Sequence, residues 1–264
     1  MKTAILWAFY GTGFTFLMTS LGSALVFFFK NTISNTFERI FLGFAAGIMI
    51  AASFWSLLLP ALEQARSLLL IPYIPASVGI SLGAVFLFVM DKAVSHIYKR
   101  RSTAVDINEK SKRTAMLIAA ITLHNIPEGM AVGLAFAMAY ENLGEISAFS
   151  TAFGLALGIG IQNFPEGAAV SLPLNQEGFS SPKAFLTGVL SGAVEPIFGI
   201  LTVLAASNIK ILMPWLLSFA AGAMIYVVVE ELIPEANSKK ESHLGTLGII
   251  AGFLIMMILD VALG

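Results

Sequence analysis

Two six-residue phrases hold most of the chemistry this sequence can offer: His124-Asn125-Ile126-Pro127-Glu128-Gly129 and Gln162-Asn163-Phe164-Pro165-Glu166-Gly167. Residues four apart on a helix share a face, so His124 pairs with Glu128 and Gln162 with Glu166. Asn125 and Asn163 precede the same glutamates by three residues, one step around the helix. Each glutamate therefore bridges two neighbouring positions. Pro127 and Pro165 carry no N–H, so the carbonyls of Leu123 and Ile161 lose their usual donor. Such irregularity is tolerated at membrane depth where the freed groups line a polar cavity. Gly129 and Gly167 permit close helix approach. One imidazole, two carboxylates and three amide oxygens would point inward, a set without thiolate that suits a divalent first-row cation. Such ligands should hold a metal moderately.

Further carboxylates lie outside these phrases. Glu195, in Ser191-Gly192-Ala193-Val194-Glu195-Pro196, falls near the middle of a later apolar run. Its bland reading is a protonated carboxyl bonded to backbone, but intramembrane ionisable groups are functional by default. Glu230 and Glu231 stand near the end of another run and could simply face solvent. Asp91 and Asp260, also near run ends, read as structural caps. His96 and His243 read as solvated interface residues. The 11 methionines read mainly as core filler, Met49 and Met224 included.

The elements that must position these groups are membrane spans. Of 264 residues, 57% are hydrophobic and 12% charged, against about a quarter charged in soluble domains. A spanning helix needs roughly 20 mainly apolar residues. Eight such runs can be placed, at about 4–29, 39–62, 72–98, 114–139, 146–173, 182–206, 210–233 and 244–263. Hence the expected fold is an all-α integral membrane protein, a single transmembrane domain over 1–264. The first run is too long for a signal-peptide core. Net charge of −1 argues against a nucleic-acid partner, and the absence of cysteine removes disulfides and thiolate ligands alike.

Orientation follows from the basic residues. With eight spans, Lys30, Arg39, Lys92, Lys99, Arg100, Arg101, Lys110, Lys112, Arg113, Lys183, Lys239 and Lys240 fall on one side, and only Lys2, Arg66 and Lys210 on the other. Twelve against three places both termini outside and the polar loop of about 99–113 in the cytoplasm.

An internal repeat underlies the spans. Phe44-Ala45-Ala46-Gly47-Ile48-Met49-Ile50 in span two echoes Phe219-Ala220-Ala221-Gly222-Ala223-Met224-Ile225 in span seven. Span three carries Gly79-Ile80-Ser81-Leu82-Gly83 and then Asp91, while span eight carries Gly248-Ile249-Ile250-Ala251-Gly252 and then Asp260, at the same interval from the second glycine. Partners five spans apart cross the membrane in opposite directions. Spans one to three and six to eight thus read as inverted copies around the four–five pair, the plan of many secondary transporters.

The phrases of spans four and five, together with Val194-Glu195-Pro196 in span six, resemble those of the ZIP (Zrt/Irt-like) divalent metal transporters, and specifically the GufA-like branch. The resemblance implies a binuclear mid-membrane site. One position would be held by His124, Glu128, Gln162 and Glu166, the other by Asn125, Glu128, Asn163, Glu166 and Glu195. Glu231, with Glu230, would form part of the cytoplasmic release route. Other members of the family have Asp where this chain has Asn163, and many have a histidine-rich cytoplasmic loop that is missing here. The neutral Asn163 leaves Glu195 as the main private charge of the second position.

Zinc, ferrous iron, manganese and cadmium all suit these ligands as transported substrate, with no separate cofactor. The alternative function is an intramembrane metal-dependent hydrolase. It lacks a His-Glu-x-x-His phrase and has one deeply placed histidine, His124, where catalytic zinc usually takes three protein ligands. A channel would need a ring of equivalent acids, usually from symmetric subunits. The expected setting is a bacterial inner (plasma) membrane. The partners are divalent metal ions and the lipid bilayer, with a homodimer as one assembly open to the chain.

Overall fold

The computed structural model describes residues 2–28, 35–102, 109–142, 146–176, 178–208, 210–238 and 243–263. Among these there are helices and turns but no strand. Span one is Lys2–Ser23 with a 3₁₀ turn at Ala24–Phe27, and span two runs Asn35–Ala52, Ser53–Leu58 and Leu59–Ser67 without a break. Span three is Tyr73–Ser102, span four Glu109–Glu141 and span five Ile146–Gln176. Span six is Ser181–Gly192 and Val194–Asn208, hinged at Ala193. Span seven is Met213–Val227, Val228–Leu232 and Ile233–Ala236, and span eight is Leu244–Leu263.

Over the described residues, every apolar run expected to be a span is helical, since a helix satisfies its backbone without help from lipid. Six of the eight are long and apolar enough to cross a membrane by composition alone. The other two, spans four and five, carry the polar phrases. Their prolines Pro127 and Pro165 remove a hydrogen bond without ending the helix. Of the polar loop expected at about 99–113, residues 103–108 lie outside the described residues.

The helices pair in parallel. Gly129 and Gly133 of span four lie against the backbones of Glu195 and Gly199 of span six, and Gly167 of span five lies against Thr19 and Ser23 of span one. Rising numbers meet rising numbers, so each pair runs the same way. Spans two and eight form a third pair and spans three and seven a fourth.

The nearest contacts repeat the internal symmetry. Gly47 of span two packs on the Ile249 carbonyl of span eight, and its counterpart Gly222 of span seven packs on the Ile80 carbonyl of span three. Gly252 packs on the Phe44 carbonyl, and its counterpart Gly83 packs on that of Phe219. A side chain at any of the four would displace backbone, which explains why the small-residue phrases recur. The symmetry extends to a rare feature. Spans two and seven each contain one π-helical segment, Ser53–Leu58 and Val228–Leu232, which begin at equivalent positions. Insertions of this kind are frequent at functional sites.

Candidate metal site

Spans four and five cross side by side with their polar phrases facing each other. His124, Asn125, Glu128, Gln162, Asn163, Glu166 and Glu195 are all buried. An acid at a bilayer centre costs about 3 kcal/mol even on insertion scales, so three buried glutamates demand compensation. Part of it is internal. Gln162 Nε2 donates to Glu128 Oε1 at 2.7 Å. Asn125 Nδ2 donates to the Ser191 carbonyl at 2.9 Å, and Asn163 Nδ2 donates to Glu195 Oε2 at 2.9 Å and more weakly to the Thr15 carbonyl at 3.4 Å. His124 Nε2 faces Glu231 Oε1 at 3.0 Å.

The remainder is not satisfied within the protein. Among the described residues, seven buried side-chain atoms lack a hydrogen-bond partner, and five of them are Asn125 Oδ1, Glu128 Oε2, Gln162 Oε1, Asn163 Oδ1 and Glu166 Oε2. All five are oxygens, and all belong to the two phrases. A buried unpaired polar atom costs roughly 1–3 kcal/mol. Five together approach the whole stability of an ordinary domain, roughly 5–15 kcal/mol. In each amide the nitrogen is tied down and the oxygen is left free. That arrangement offers electron pairs to a cation and nothing to an anion.

Among the described residues, no three His, Asp or Glu side chains stand gathered for a metal as they are. His124 is turned toward Glu231 and Glu128 toward Gln162. A metal would draw His124 and the free oxygens together, with amides completing the shell.

Span seven supplies Glu230 and Glu231 from its π segment. The Glu231 side chain is 31% exposed while that of His124 is 7% exposed, so their contact joins the buried cluster to a wetter end. Asp91 shares the surroundings of Tyr226 with both glutamates. Asp260 differs from the expected cap: it is buried, and Ser56 Oγ of the other π segment donates to its Oδ1 at 2.5 Å. Met49 and Met224 are fully buried core residues, while His96 and His243 are exposed.

Sequence reasoning missed span one. Thr12, Thr15, Thr19 and Ser23 form a buried hydroxyl stripe facing the cluster. Thr19 Oγ1 donates to Glu195 Oε1 at 3.2 Å, and Ser23 Oγ donates to the Gly167 carbonyl at 3.1 Å. The sequence held no signal for it. Packing makes Thr19 the counterpart of Glu195, since Gly167 lies on the Thr19 carbonyl as Gly129 lies on that of Glu195, and the two share no residue type.

Comparison with known proteins gives the family. The profile of the ZIP Zinc transporter family matches residues 101–260. The chain is 36% identical to zinc transporter ZIP11 of Homo sapiens, over 99% of this chain and 98% of that protein. It is also 36% identical to zinc transporter ZIPB of Bordetella bronchiseptica, over 94% and 79%. Against zinc transporter GufA of Myxococcus xanthus it is 36% identical over 70% of each. An eight-helix inverted repeat enclosing a buried oxygen-and-imidazole cluster, together with these matches, leads to one statement: the chain belongs to the ZIP family of zinc transporters.

Proposed function

We propose that this protein, as one transporter domain over its whole length, carries zinc into the cytoplasm through the cluster between spans four and five. The five unpartnered oxygens of the two phrases carry the reading. The first position is His124, Glu128, Gln162 and Glu166. The second is built around Asn125, Glu128, Asn163 and Glu166, with Glu195 against Asn163. Ferrous iron, manganese and cadmium fit the same donors, and zinc is favoured because the relatives named above are zinc transporters.

Direction follows from charge and exposure. The excess of basic residues on one side assigns that side to the cytoplasm, with both termini outside. On that assignment Glu231 lies toward the cytoplasmic end of span seven. Its contact with His124 then offers a hand-over, in which the imidazole leaves the metal for Glu231 as the cation departs. The hydrolase alternative gains nothing: the named relatives are transporters, and the cluster holds one histidine.

Purified protein in liposomes, loaded with a metal-sensing dye and offered zinc, iron, manganese and cadmium separately, tests the reading. Zinc should enter with saturation, and competing metals should rank below it. Absence of entry by any divalent cation would end the proposal, and a higher rank for another metal would replace zinc as cargo.

A further inference from the structure

We propose that the turn at residues 68–72, between spans two and three, docks into the bilayer at the boundary of headgroups and acyl chains, with Leu69 as its anchor. The turn reads Leu68-Leu69-Leu70-Ile71-Pro72, without a polar side chain. Every other connection between spans carries a charged residue: Lys30, Asp106, Glu145, Glu177, Lys210 and Lys239 in chain order. Leu69 is 94% exposed and Ile71 53%. Large apolar side chains so exposed are unfavourable in water and favourable in hydrocarbon, and mark a surface that meets something.

Span two closes with the same turn as span five. Leu70 N–H donates to the Ala65 carbonyl and Leu69 N–H to that of Arg66, just as Phe179 N–H donates to the Leu174 carbonyl and Gly178 N–H to that of Asn175. The residue at the bend is left-handed in both, with φ 96° at Gly178 and 56° at Leu69. Glycine takes that conformation freely, whereas leucine is strained in it. Among the described residues, Leu69 is the one non-glycine with positive φ. A leucine strained in its backbone and exposed in its side chain is favourable where lipid receives that side chain. The polar atoms of the turn suit lipid too, because backbone groups there must be satisfied internally. The N–H groups of Leu68, Leu69 and Leu70 are all bonded within the helix end, and Pro72 has none.

The neighbours are interfacial types. Arg66 is exposed and Tyr73 is 69% exposed, and arginine and tyrosine anchor helix ends at membrane interfaces. From Ile74 an exposed apolar stripe continues along span three through Val78, Leu82, Val85 and Val89, so the turn extends an outward apolar face. A stable protein interface draws on about 20–30 residues a side, which makes the turn by itself too small a seat for a second copy.

This docking is independent of the metal reading. The chain has no cysteine, so Leu69→Cys, Ile71→Cys and Asn142→Cys each take a single bimane label in the whole protein in liposomes. Asn142, exposed at the end of span four, is the polar control. Quenching is measured with aqueous iodide and with a phosphatidylcholine that bears a nitroxide on its upper acyl chain. At positions 69 and 71 the lipid should quench severalfold more strongly, and iodide severalfold less, than at position 142. Iodide quenching at 69 and 71 equal to that at 142 overturns the docking. So does equal lipid quenching at all three positions, which would assign the insertion to the label. Shielding from both quenchers would mean that protein covers the turn, and overturns it as well; cross-linking of Leu69→Cys chains to each other would identify that protein as a second copy.

Discussion

The phrases His124–Gly129 and Gln162–Gly167 share Asn, Pro, Glu and Gly at matching positions, yet their surroundings differ. On span four, His124 reaches out of the cluster to Glu231, and Asn125 is fixed by backbone. On span five, Gln162 reaches inward to Glu128, and Asn163 is held by the Glu195 carboxylate. One copy therefore reaches toward a wetter end of the protein, and the other braces the cluster from within. The asparagines and glutamates match between the copies, and the difference at the first position of each phrase makes the cluster unsymmetrical.

What the copies share should produce the largest effect. Glu128→Ala and Glu166→Ala are each expected to reduce zinc uptake to the level of empty liposomes while the protein still inserts and elutes normally. Wild-type rate in both would show that the shared part of the phrases is not the site. Survival of one alone would show that the two copies are unequal even there.

The first positions should separate next. Because His124 meets Glu231, His124→Ala should lower the maximal rate by about tenfold, on the scale of a lost metal-site partner. Gln162→Ala should chiefly raise KM, since it frees Glu128 Oε1 without touching the exit. Stopped-flow uptake into dye-loaded liposomes resolves the two, and identical profiles would remove the proposed direction.

A smaller contrast lies in the asparagines. Asn163→Asp sets a second carboxylate against Glu195, where the amide now donates at 2.9 Å. Like charges at that distance destabilise the metal-free protein, and a bound cation relieves them. The variant should melt lower than wild type without metal and gain more from saturating zinc, with tighter binding and slower release. A thermal shift equal to wild type with and without zinc would show that Asn163 does not face the cation.

The last comparison should leave transport untouched. If the copies run in opposite directions across the membrane, the two ends of span five lie on opposite sides. The chain has no cysteine, so single substitutions report cleanly. Asn142 and Ser180, both exposed, flank that helix. In intact cells Asn142→Cys should react with an impermeant thiol reagent, and Ser180→Cys should be protected. Labelling of both from outside would remove the opposed orientation of the metal-binding helices.

Much of this protein was legible from its residues because lipid is an unforgiving solvent. Each span must be a long apolar helix, so the eight runs could be counted, and each polar group within one stood out against its neighbours. The repeat was visible where backbones touch, since only glycine fits at Gly47, Gly83, Gly222 and Gly252. It was invisible where side chains, not backbones, do the work. Thr19 and Glu195 occupy equivalent places yet share neither charge nor shape, so composition could not link them. The sequence by itself determined the fold, the family phrases and the inventory of donors, because these depend on local spacing and on the cost of polar atoms in hydrocarbon. Only the tertiary structure decided which end of each amide faces inward, that Asp260 is buried against Ser56, and that His124 meets Glu231, because each of these depends on a partner from a distant helix.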